Sequence, residues 1–166
     1  MKEFNIKLKD DQATKVTPLK PEEFDLPEYV DYAEELNHRC ASFWSAKSGV
    51  AVYRRMRVAD CFASGCRDMK RSLENQLGAL QMSMKYKADV PNFLEPWYGI
   101  GTIASAFGGD YTWPDESAPV MKPGFLSIDE LLNCEPVLVA QTDIGKHTLE
   151  MIEYFMDKTK GLLPVS

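Results

Sequence analysis

From Val90 to Trp113 the chain reads VPNFLEPWYGIGTIASAFGGDYTW, and within it only Glu95 and Asp110 carry charge. The apolar run Val-Pro-Asn-Phe-Leu stops at Glu-Pro and opens into aromatics and glycines. That pattern predicts a buried strand whose C-terminal end passes into a loop, with Pro91 near the strand start, where a missing N–H is tolerable. In α/β proteins ligands bind at that end of a strand.

The segments on either side alternate with it in period. From Pro27, the residues Val30, Ala33, Leu36, Cys40, Phe43 and Trp44 recur at three and four and predict an amphipathic helix that stops before Gly49. Met69, Leu73, Leu77, Leu80 and Met84 do the same through good helix formers, with the methionines as core filler. Small residues at Thr102, Ala104, Ser105 and Ala106 predict a short tight helix. Tyr111–Trp113 and Pro119–Lys122 predict extended pieces around the turn residues 114–117, an excursion from the main layers. Ser127 and Glu130 form a capping box for a short helix. Gly145–Lys160 reads as a helix that buries Leu149, Ile152, Phe155 and Met156, with Gly161 as its C-terminal cap. The first 20 residues are polar and predict a loose arm or an edge strand.

Composition narrows the functional classes. At 166 residues, 45% hydrophobic and 27% charged, the chain can bury a core as one domain. A net charge of -6 and a pI near 5.0 argue against nucleic acid and anionic membranes as partners. With no long apolar run and no hydrophobic leader at MKEFNIKLKDDQ, a cytoplasmic protein is expected. Cys40, Cys61, Cys66 and Cys134 form no C-x-x-C pair, so reduced thiols are expected, and no metal site is assigned. His38 and His147 fall in separate helical segments and read as surface or satisfied interior residues. Gly99-x-Gly101 lacks a third glycine at the right distance for a dinucleotide-binding loop.

The end of the chain, Leu162-Leu163-Pro164-Val165-Ser166, is an apolar run directly after a capped helix and reads as a further strand. Because termini are normally polar and frayed, a truncated chain is expected. The order helix, strand, helix, strand predicts a parallel sheet wrapped by helices.

Several of these blocks resemble the uroporphyrinogen decarboxylase-like family. They are Leu73-Glu-Asn-Gln-Leu77, Val90-Pro-Asn-Phe-Leu-Glu-Pro-Trp-Tyr-Gly-Ile-Gly101, Ala104-Ser-Ala-Phe-Gly108, the helix from His147 to Phe155, and Leu163-Pro-Val165. The likeness is strongest to a branch from anaerobes. It implies that residues 21–166 are the N-terminal portion of a (β/α)8 TIM-type barrel preceded by helices, with 1–20 as an arm. Such a barrel typically needs about 250 residues. The family contains cofactor-free decarboxylases of tetrapyrrole acetate groups. It also contains cobamide-dependent methyltransferases, whose zinc ligands come from the barrel's later half and whose partner is a corrinoid protein. The Arg-Gln-Ala-Gly-Arg motif of the decarboxylases is absent.

The resemblance therefore implies a small-molecule substrate, with three alternatives for the chain. These are a decarboxylase segment acting on a tetrapyrrole or similar polycarboxylate, a corrinoid-dependent methyltransferase segment, and a non-catalytic piece that pairs with itself or a complementing chain. No cofactor is assigned to these residues themselves. Glu95 is the candidate acid, an analogue of the strand-end Asp of the decarboxylases. Trp97, Tyr98, Gly99 and Gly101 would line the strand mouth, and Arg54, Arg55 and Arg57 would hold substrate carboxylates through their planar forks. Competing readings remain for both groups. Glu95 could cap a helix or pair with an arginine, and the arginines could be a solvated face.

Overall fold

A computed structural model of the chain describes residues 16–46, 49–50, 53–55, 67–96, 101–113, 119–122 and 127–166. Helix α1, Leu26–Ser45, starts where the Asp25 carboxylate accepts from the Glu28 N–H at 3.0 Å, with Pro27 in the first turn. It buries Tyr29 and Leu36 but leaves the core after that. Trp44, expected on the buried stripe, is 75% exposed and packs edge-on against Phe43 instead.

Helix α2, Met69–Lys85, is capped by Asp68, which accepts from the Arg71 N–H at 2.9 Å. It is the central element. Leu73, Leu77 and Leu80 are buried as the period predicts, and so are Ser72, Asn75, Gln76 and Ser83 on its other sides. Residues 16–20 lie against it rather than forming a loose arm. Leu19 donates its N–H to the Glu74 carbonyl at 2.9 Å, and a side chain at Gly78 would run into the Thr17 carbonyl. The rest of the predicted arm, 1–15, lies outside the described residues.

After α2 the chain becomes extended, and Leu94 pairs in parallel with Val165. Leu94 donates to the Pro164 carbonyl, and Ser166 donates to the Leu94 carbonyl, both at 2.9 Å. One step upstream the ladder would need an N–H from residue 164, which proline lacks. The Tyr29 hydroxyl takes its place, donating to the Asn92 carbonyl at 2.9 Å and accepting from the Asn92 N–H at 3.0 Å. Tyr29 is fully buried by this arrangement, and burial pushes its hydroxyl up to about 12.

Between the paired strands runs the predicted excursion. A 3₁₀ turn at Ile103–Phe107 ends at Gly108 in the left-handed region, φ 79°. Strands β1, Asp110–Thr112, and β2, Val120–Lys122, pair antiparallel with Tyr111 opposite Met121. Helix α3, Ile128–Leu132, opens with both capping-box bonds at 3.2 Å. A turn at Val139–Gln141 then leads to α4, Asp143–Lys158, which Thr142 caps.

Helix α4 is rotated from the expected face. Met151 and Phe155 are fully buried, while Leu149 and Met156 stay 47% and 49% exposed. Gly145 sets the rotation, because any side chain there would collide with the Val139 carbonyl, so that position must face the preceding turn. Gly161 follows at φ 66°, and its N–H donates to the Met156 carbonyl at 2.8 Å, as its capping role requires.

One core joins α1, α2, the strand pair and α4: Phe24, Tyr29, Leu73, Leu77, Leu80, Leu94, Met151, Phe155 and Leu163. The described residues therefore form a mixed, mainly helical α/β arrangement with a parallel strand contact and one short hairpin. A (β/α)8 barrel is not evident among them.

Candidate functional site

Glu95 follows Leu94 at the C-terminal end of the parallel pair, and its main chain is held from outside by α2. The Gln76 carboxamide accepts from the Glu95 N–H at 2.7 Å and donates to the Glu95 carbonyl at 2.9 Å. A primary amide has the donor and acceptor spacing of a peptide group, so Gln76 mimics the residue of a neighbouring strand. Its own second N–H reaches the Ser72 hydroxyl at 3.1 Å. Gln76 is buried, which makes this two-point grip rigid.

The Glu95 side chain itself is half-buried, and its carboxylate makes no hydrogen bond or ion pair among the described residues. It neither caps a helix nor pairs with an arginine there. An uncommitted carboxylate on a fixed backbone can accept a hydrogen bond from a ligand N–H or exchange a proton with it.

The other expected site residues are brought together only in part. Arg54 is engaged elsewhere: its guanidinium grips both Asp89 carboxylate oxygens at 2.7 and 3.0 Å, and its N–H adds a third bond at 2.9 Å. The guanidinium hydrogen bonds and then the Arg54 N–H hold the Asp89 carboxyl far below the usual carboxylate range, with Arg39 adding at 3.7 Å. Arg55 is exposed and lies over the Phe93 ring at 5.9 Å, two residues before Glu95 on the same strand. The Gly101 N–H is already taken by the Tyr111 hydroxyl, and a side chain there would meet Met121 and Tyr111. Gly101 therefore serves the excursion's packing. Arg57, Trp97, Tyr98 and Gly99 lie outside the described residues.

Three residues important to this end of the strand pair were missed in the sequence reading. Gln76 carried a visible signal, a polar side chain inside the apolar spacing Leu73, Leu77, Leu80. Tyr29 and Asp89 carried none, since their partners are more than 30 residues away.

Among the described residues, no three or more His, Cys, Asp or Glu side chains gather to hold an ion. Cys40 and Cys134 are free thiols on α1 and in the loop after α3, and Cys61 and Cys66 lie outside the described residues. His38 is exposed on α1, and His147 is half-buried on α4. No helix among the described residues is long and apolar enough to cross a membrane.

Comparison with family models, curated proteins and solved structures gives no match for this chain.

Proposed function

We propose that residues 21–166 are part of a uroporphyrinogen decarboxylase-like enzyme, with Leu94 and Val165 on adjacent staves of a (β/α)8 barrel. The substrate class is a tetrapyrrole or similar polycarboxylate. In the reaction, the bond from the side-chain methylene to its carboxylate breaks, carbon dioxide leaves, and a proton takes its place on that carbon. Glu95 would place a ring N–H or that proton, and Arg55 would steady a carboxylate. The observation that carries this reading is the uncommitted Glu95 carboxylate one residue past a parallel strand contact, where α/β proteins bind ligands. The order α2, strand, α4, strand supports it as well.

The test is a titration with uroporphyrin, the stable octacarboxylate porphyrin, followed by its absorption band. Saturable binding is expected, weakened at least about 10-fold in Glu95→Gln, a loss of roughly 1.4 kcal/mol, with thermal unfolding unchanged. Binding that is absent, or indifferent to Glu95→Gln, would overturn the proposal. Where binding holds, carbon dioxide release from the reduced substrate measures the reaction itself.

A further inference from the structure

Around Glu95 the main chain is fixed from three directions. Leu94, just before it, donates its N–H to the Pro164 carbonyl and accepts the Ser166 N–H on its own carbonyl, both at 2.9 Å. Pro96, just after it, disfavours the helical region at position 95 and keeps that residue extended. Glu95 itself donates its N–H to the Gln76 carboxamide oxygen at 2.7 Å and accepts from the carboxamide nitrogen at 2.9 Å. Gln76 takes only this last residue of its edge and leaves the rest of that edge to whatever strand lies beside it.

The grip has one orientation. Turning the carboxamide over would set its NH2 group against the Glu95 N–H and its oxygen against the Glu95 carbonyl, two repulsive contacts in place of two hydrogen bonds. The second amide hydrogen is held as well, by the Ser72 hydroxyl at 3.1 Å, one helical turn back. Both amide donors are therefore used. With Gln76 6% and Ser72 2% exposed, little water reaches them to compete.

What stays free at position 95 is the side chain. Once the peptide is fixed, the Cα–Cβ bond has one direction, and the carboxylate reaches only the space that its rotamers sweep from there. Leu73 and Leu77 pack α2 into the same core, but apolar contact has no direction. The Gln76 bonds supply it. A group aimed before its ligand arrives has less freedom to lose on binding.

We propose that Gln76, locked by Ser72, is the positioning residue of Glu95, setting the direction in which that carboxylate meets a ligand. The uroporphyrin arm of the test rests on the decarboxylase reading, and the hydrogen-exchange arm does not.

Gln76→Met has a similar volume and no amide. In it the Glu95 amide should exchange at least about 10-fold faster, while the Leu94 amide, bonded across the strand pair, keeps its rate. The uroporphyrin dissociation constant should rise about 10-fold, but less than about 2-fold when the same change is made on Glu95→Gln. A purely structural role would weaken both backgrounds alike. Gln76→Glu separates the two halves of the grip. Its ionised carboxylate still accepts from the Glu95 N–H but cannot donate to the carbonyl, and protonation restores the donor. Burial raises such a carboxyl above its ordinary value of about 4.3. Relative to wild type at the same pH, the affinity of Gln76→Glu should therefore recover as pH falls from 8 to 5. Ser72→Ala, a smaller change, keeps the test decisive if Gln76→Met does not fold, with the same two effects at about 3-fold each. An unchanged Glu95 amide overturns the proposal. So does equal weakening in the two Glu95 backgrounds, or an affinity ratio for Gln76→Glu that ignores pH. A faster Glu95 amide in a chain whose wild type does not bind uroporphyrin sinks the decarboxylase reading and leaves Gln76 as the residue that positions Glu95.

Discussion

The helical layer and the 101–138 excursion are built on different physical terms. In the layer, α1, α2 and α4 share one core in which Tyr29, Leu73, Met151 and Phe155 are completely buried. The excursion buries Ser105, Ala106 and Tyr111, and leaves Ile128, Leu132 and Leu138 at least 70% exposed. Its order comes from separate polar contacts: the α3 capping box, the Tyr111 hydroxyl on Gly101, and the Ser105 hydroxyl 2.8 Å from that of Thr142. Burial of apolar area is cooperative across a whole core, whereas single hydrogen bonds act locally and contribute about 1 kcal/mol each. The layer should therefore unfold as one unit and the excursion should open beneath it.

The largest expected effect breaks the layer. Leu73→Ala removes a fully buried side chain from the centre of α2 and should cost about 4 kcal/mol, read from the denaturant midpoint. If the loss were below about 1 kcal/mol, α2 would not be the central helix, and the contrast between the two regions would collapse.

A second change sharpens the comparison through pH. Tyr29→Phe leaves the Asn92 N–H and carbonyl without their partner in the core and should cost about 3 kcal/mol at neutral pH. The folded-state value of Tyr29 is raised from 10.0 to about 12, so the folded form holds this proton more tightly than the unfolded form does. Its contribution is therefore complete below pH 10 and is lost as pH rises from 10 through 12, about 3 kcal/mol in all. The gap between wild type and Tyr29→Phe should narrow across that window. A gap that stays constant from pH 9 to pH 12 would mean that Tyr29 is not the buried ladder substitute described above.

These outcomes separate what the sequence could reveal from what it could not. The stripe Leu73, Leu77, Leu80 names α2 because each position reports on the same face, and the box Ser127 to Glu130 names α3 because its chemistry closes within one turn. The boundaries of α1 and α4 were legible for similar local reasons. The rotation of α4 was not, since it is set by the Val139 carbonyl against Gly145, a contact between two backbones. Glu95 as a strand-end acid could be read from Phe-Leu-Glu-Pro. The Gln76 grip that fixes it could be suspected only from a polar residue in an apolar row. Arg54 shows the opposite failure: an arginine cluster reads as an anion site until Asp89, 35 residues later, is seen to occupy one member.

The smallest effect is the most direct test of the contrast. Leu132 is as large as Leu73, but it is 76% exposed, whereas Leu73 is not exposed at all. Apolar area already in contact with water is not transferred on folding, so its removal has little to act on. Leu132→Ala should change global stability by less than about 0.5 kcal/mol, with only the intrinsic helix preference of Ala over Leu to register. Hydrogen exchange adds the regional reading: amides of β1 and β2 should open with a lower free energy than those of α2, in both wild type and variant. A cost for Leu132→Ala approaching that of Leu73→Ala would show that the α3 surface is covered in solution. The excursion would then belong to a second core rather than to a set of local contacts.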